Sequence, residues 1–145
     1  MTALLENRLE FTLPGGPRTA CQAREQVETG NGMVPQAVRA QVLLLLTELV
    51  TNAVRHGGAG DGLPVEVVVA RLPAGVMVAV TDPGDGFEWR RPQTTRMPAE
   101  SGYGLQLVDR MARRWGIEQG EGSTTVWFEL PPGAADQNPD GCRAL

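Results

Sequence analysis

The segment from Val42 to His56 constrains the fold of this chain more than any other. Val42, Leu43, Leu44, Leu45 and Leu46 are followed by Leu49, Val50, Ala53 and Val54, an apolar pattern at helical spacing. Glu48, Asn52 and His56 interrupt it at four-residue intervals. An α-helix turns about 100° per residue, so four residues overshoot one turn by about 40°. The three polar residues therefore form a slowly drifting stripe on an otherwise buried helix. A carboxylate there is costly to bury unless something pairs or uses it. One reading makes the stripe a wall of a site for a metal ion and phosphates. The other pairs Glu48 with Arg55 or Arg39 and has Asn52 cap a buried polar network.

The rest of the chain supplies partners for this helix. Asn7–Leu13 alternates and reads as a strand, and Pro14-Gly-Gly-Pro17 turns into a helix over Arg18–Glu28. Pro35 opens the central helix, which Gly57-Gly58 ends. Val65–Leu72 and Val76–Thr81 read as strands joined by a short hairpin turn at Pro73-Ala-Gly75. A helix over Leu105–Trp115, a short strand over Ile117–Gln119 and a last strand over Thr124–Leu130 complete the pattern. Hairpin-linked strands with interspersed helices predict an α+β, two-layer α/β sandwich. Its sheet is expected to be mixed, mainly antiparallel, and covered by helices on one face. Residues 1–131 are expected to form a single domain, and the Pro/Gly/Ala-rich stretch 132–145 a disordered tail.

A net charge of −4 leaves no basic footprint for nucleic acid. The longest apolar run, Val42–Leu46, is too short to cross a membrane, and the N-terminus lacks the order of a signal peptide. The chain is therefore expected in the cytoplasm, with Cys21 and Cys142 as free thiols.

Three further motifs carry chemistry. Asp82-Pro-Gly84-Asp-Gly86 follows a strand directly. Its glycines let backbone approach a ligand closely, and an acidic residue at a strand end can accept a hydrogen bond from an amino group. The same residues also make ordinary turns. Gly102-Tyr103-Gly104-Leu105 leads into a helix, whose N-terminal N–H groups and partial positive charge attract anions. It lacks the lysine and spacing of a P-loop. Thr124 and Thr125 open the last strand and point to opposite faces, so one hydroxyl alone can stand beside Asp82.

Taken in order, an Asn-bearing helix, an Asp-x-Gly-x-Gly loop, a Gly-x-Gly-Leu helix start and a Thr-led final strand resemble the Bergerat-type (GHKL) ATP-binding fold of gyrase, histidine-kinase and MutL ATPases. The resemblance runs from about Leu44 to Pro131. Within that superfamily, Glu-Leu-Val-Thr-Asn-Ala-Val-Arg-His resembles the first box of the small anti-sigma-factor serine/threonine kinases of the SpoIIAB/RsbW type. The resemblance implies ATP and Mg²⁺ as cofactors, with Asn52 as the metal ligand and Glu48 as the catalytic base. It implies that Asp82 holds the adenine amine, with Gly86 nearby and Thr125 supporting that contact. Gly102 and Gly104 would bend a lid, residues 87–101, around the phosphates, and His56, Gly84, Tyr103 and Leu105 would complete the nucleotide site. Tyr103 departs from the arginine that many of these relatives carry there. The implied partners are a STAS-type anti-sigma-factor antagonist, a sigma factor and a second copy of the chain, with no nucleic acid or membrane.

Two other functions fit the same motifs. One is a nucleotide-binding regulatory module without useful catalysis, acting by protein–protein binding. The other is a histidine-kinase catalytic fragment. The single histidine lies inside the first box and no separate phosphoacceptor helix is read, which disfavours autophosphorylation. The length is short for a gyrase-like machine with a transducer domain.

Overall fold

Alternation along the strands decides which face of the sheet is covered. In a computed structural model, residues 2–5, 7–30, 32–55, 62–84 and 103–133 are described. They form β1 (Thr2–Leu5), β2 (Arg8–Pro14), α1 (Thr19–Glu28), a single 3-10 turn (Gln36–Val38), α2 (Arg39–Arg55), β3 (Pro64–Leu72), β4 (Gly75–Asp82), α3 (Tyr103–Met111), β5 (Arg114–Gly120) and β6 (Ser123–Leu130). The strands make one six-stranded sheet in the order β1-β2-β3-β4-β6-β5. Every strand pair in it is antiparallel, so the expected α+β sandwich holds while its sheet is less mixed than predicted.

One set of alternate residues packs under the helices. Leu9 and Phe11 of β2, Val65, Val67 and Val69 of β3, Val76, Val78 and Val80 of β4, and Val126, Phe128 and Leu130 of β6 are all buried. They meet Ala23 and Val27 of α1, six apolar residues of α2 (Val42, Leu45, Leu46, Leu49, Val50, Ala53), and Leu105 and Val108 of α3. Fully burying each such aliphatic side chain contributes about 1.5–3 kcal/mol. By length and composition the run Gln36–Arg55, with hydropathy 1.4, would also suit a membrane. Here its apolar side is the middle of the core.

Contacts place α1 over β2, α2 over β3 and β4, and α3 beside α2 and against β5. The helices thus lie side by side across one face. Gly75 makes the β3–β4 hairpin possible. Its φ is +147°, and a Cβ there would sit 1.9 Å from the carbonyl oxygen of Leu130.

Three boundaries differ from expectation. β1 pairs with β2 and was not read from the sequence. The last helix stops at Met111 rather than Trp115, and the short strand becomes the seven-residue β5. Leu105, Val108 and Trp115 keep a helical spacing, but Trp115 is spent on the sheet opposite Phe128.

Candidate functional site

Topology gathers the candidate residues at one end of the sandwich. Gly15 donates its N–H to the carbonyl of Leu63 (2.9 Å), so the end of β2 and the start of β3 lie together, and the register carries this end across to Asp82 and Thr124. Gly16, Pro17, Thr51, Val54 and Arg55 line one pocket, which brings the C-terminal end of α2 to the same end. At the far end, Arg113 donates its N–H to Glu129 (2.9 Å) directly after α3 finishes. The N-terminus of α3 therefore points back toward Asp82. The second half of α2, the end of β4, the start of β6 and the beginning of α3 share one edge.

Glu48 and Asn52 of the polar stripe face into this edge. Val50 and Val54 line the pocket against α1. Asn52 lies two residues from each, and two residues turn a helix by about 200°, so it occupies the opposite flank, toward α3. Glu48 is one turn earlier on that flank. Both are half-buried. The structural alternative for the stripe is not formed: among the described residues Glu48 pairs with neither Arg39 nor Arg55, and Arg39 leaves its Nε buried without a hydrogen-bond partner.

Asp82 is 4% exposed, the only carboxylate in the core of the described residues. Its Oδ1 accepts the N–H of Gly84 at 2.7 Å, which closes the turn through Pro83. The register sets Asp82 opposite Thr124. Thr124 is 1% exposed and donates its hydroxyl to the Gly84 carbonyl at 3.0 Å, pinning the same turn from the neighbouring strand.

This corrects the assignment of Thr125. Thr125 lies on the face away from the helices, where its hydroxyl is 2.6 Å from that of Thr81. Strand alternation forbids it from reaching the side on which Asp82 points. Thr124 is the residue beside Asp82, and its parity with Val126, Phe128 and Leu130 is the signal that marks it.

Leu105 is fully buried under α3, in the core beside the site. Tyr103 and Gly104 form the first turn of α3 in backbone, where N–H groups lack intrahelical partners. His56, Gly86, Gly102 and the expected lid over residues 87–101 lie outside the described residues, as does the tail from residue 134.

The donor set suits a purine nucleotide with a hard cation. A buried carboxylate can accept from an exocyclic amine, an amide oxygen can ligate Mg²⁺, and helix N–H groups can hold phosphate.

Residues 13–130 match the family of histidine kinase-like ATPase domains, and the chain belongs to that family. It is 40% identical over 75 residues to the uncharacterised protein SCO4941 of Streptomyces coelicolor, across 51% of this chain and 70% of that protein. Among solved structures, the RsbU and RsbW domains of Rv1364c from Mycobacterium tuberculosis superpose with a TM-score of 0.60 at 22% identity, over 86% of this chain and 32% of that one. The blue-light activated histidine kinase of Erythrobacter litoralis EL346 gives 0.53 at 21% identity, over 82% and 41%. The chain spans less than half of either solved relative, and at these identities they show the shared fold. The family makes this chain a GHKL-type, kinase-like ATP-binding domain.

Proposed function

We propose that this domain is a regulatory serine/threonine protein kinase of the anti-sigma-factor type. It phosphorylates a small antagonist protein of the STAS type and binds a sigma factor. The observation that carries the reading is the placement of Glu48 and Asn52, one turn apart and free of Arg39 and Arg55, on the α2 flank facing α3. ATP would supply its γ-phosphoryl group and leave as ADP, and a bound Mg²⁺ would neutralise charge on the phosphates. Asn52 would hold the ion through its amide oxygen. Glu48 takes the proton from the acceptor hydroxyl. The N–H groups at the start of α3 steady the phosphates. Asp82 accepts from the adenine amine, and Thr124 fixes the turn that presents it.

Isothermal titration with ATP, with and without Mg²⁺, on wild type and Asn52→Ala tests the site. Wild type is expected to bind in a magnesium-dependent way at sub-millimolar nucleotide, and Asn52→Ala to lose that dependence. Absence of binding by wild type overturns the site. Transfer of labelled phosphate to candidate antagonist proteins tests the chemistry. Binding without any transfer would make the domain a nucleotide-gated binding module instead, and transfer undiminished in Glu48→Ala would remove Glu48 as the base.

A further inference from the structure

The flank of α2 turned away from Asn52 carries a cavity of its own. Pro17, just before α1, and Ala20, in its first turn, face Val50 and Val54 of α2 across a space of about 330 Å³. Val50 is fully buried and Val54 half-buried, so the two valines form the floor. Thr51 and Arg55 each follow a valine by one residue, about 100° further round the helix toward solvent, and form the outer wall. At about 30 Å³ per water-sized group there is room for about ten non-hydrogen atoms, which is the small end of ligand pockets.

The wall opposite α2 is held in place. Thr19 is 1% exposed, and its hydroxyl is shared between the carbonyls of Pro14 (2.8 Å) and Gly16 (3.0 Å). Gly15 is tied to Leu63 at the start of β3. The turn into α1 is therefore fixed from both sides. Over Gly16, which also lines the cavity, the space is open: a Cβ built there meets nothing within 4 Å. The polar groups on the α2 side are not used within the fold. Thr47, one turn before Thr51, returns its hydroxyl to the Leu43 carbonyl at 2.7 Å, the usual arrangement for a helical threonine. Among the described residues Thr51 makes no such bond and Arg55 no ion pair. No carboxylate lines the cavity, and α1 has no acidic residue in its first turn. An apolar floor thus lies under one hydroxyl and one cation that nothing nearby neutralises.

We propose that this cavity binds a small amphiphilic carboxylate. Its hydrocarbon body lies on Pro17, Ala20, Val50 and Val54, and its carboxylate pairs with the Arg55 guanidinium and accepts from the Thr51 hydroxyl. A guanidinium matches a carboxylate in shape as well as charge. A single cation balances a single negative charge, so a multiply charged phosphate is a poorer match. The four apolar residues disfavour an anion without a hydrocarbon body, since its polar atoms would find no partners there. The volume suits a body of about five to seven carbons. The site lies across α2 from Asn52, so it does not depend on what the opposite flank binds.

Titration with hexanoate, followed in two-dimensional amide NMR spectra with and without saturating ATP, tests this. Signals of Ala20, Thr51 and Val54 are expected to shift and saturate with a Kd of about 0.1–1 mM, in either condition. Acetate lacks the body and hexanol lacks the charge, and each is expected to bind at least about tenfold more weakly. Arg55→Gln, at an exposed position, is expected to weaken hexanoate about tenfold or more. Gly16→Leu places a side chain in the open space at a backbone conformation that any residue adopts, and is expected to abolish the saturable shifts while the rest of the spectrum stays that of the folded protein. The absence of saturable shifts up to about 10 mM overturns the proposal. So does hexanol binding as tightly as hexanoate, or Arg55→Gln binding like wild type. Hexanoate that ATP displaces, with its shifts in α3 instead, would put the anion at the phosphate end of the other flank and overturn it as well.

Discussion

Thr124 and Thr125 are adjacent in the chain and belong to two different regions of the molecule. Thr124 is sealed under the helices and holds the turn that orients a buried carboxylate. Thr125 sits on the open face, sharing a hydrogen bond with Thr81. The same two strands therefore do two jobs. Their inner face builds the core and one end of the proposed nucleotide site, and their outer face carries Ala79 and Trp127 between charged residues. A one-residue step in the strand changes the region to which a side chain contributes.

The sharpest way to break this contrast is through the next pair along. Phe128 is fully buried on the inner face, and Trp127 is partly exposed on the outer one. Phe128→Ala is expected to cost about 3–5 kcal/mol of stability by urea unfolding, through lost transfer energy and a cavity. Trp127→Ala is expected to cost less than half of that. Equal costs would mean that the outer face is as well packed as the inner one.

The site's end of the inner face should respond next. Asp82→Asn keeps the shape but removes the charge proposed to receive the adenine amine. A hydrogen bond to a charged group is worth about 1.5–3 kcal/mol, so ATP affinity should fall about 10- to 150-fold. Calorimetric titration measures it directly. An affinity within twofold of wild type would place the base elsewhere.

Much of this is legible in the sequence. Val65–Leu72 and Val76–Thr81 are short apolar, β-branched runs joined by Pro73-Ala-Gly75, which marks them as strands, and the α2 pattern is long enough to be unmistakable. The ends of elements were harder. Trp115 continues the helical spacing of Leu105 and Val108, yet it pairs with Phe128 in the sheet, because a strand opposite β6 was available to bury it. β1 has no alternation to announce it and exists through its pairing with β2. The position of Asp82 at a strand end was readable, while its threonine partner was misassigned. The parity that decides it was present: Glu129 belongs outside, Thr125 shares its phase, and Val126, Phe128 and Leu130 carry the opposite phase inward. Glu48 and Asn52 were visible as a stripe, but periodicity alone could not say which flank neighbour they face. That follows from α1 taking the side of Val50 and Val54.

Thr124→Val should have a smaller effect than Asp82→Asn. It preserves volume and removes the hydroxyl that pins Gly84, leaving a buried carbonyl without that donor. A loss of about 1–1.5 kcal/mol in stability is expected, with ATP binding weakened about fivefold because the turn carrying Asp82 loosens. Chemical denaturation and titration on the same sample separate the two effects.

The smallest change expected is also the most discriminating. Thr125→Val removes one partner of the Thr81 hydroxyl on a face where water can replace it, so stability should shift by no more than about 0.5 kcal/mol. ATP affinity should stay within about twofold of wild type, since neither the hydroxyl nor the strand face bearing it reaches Asp82. β-branching is conserved in the substitution, so strand propensity does not confound the comparison. The two valine variants differ by one position in the chain and by a full sheet thickness in space. If Thr125→Val weakened ATP binding as much as Thr124→Val, the inner face could not be the nucleotide face, and the register that sets Asp82 against Thr124 would have lost its functional meaning.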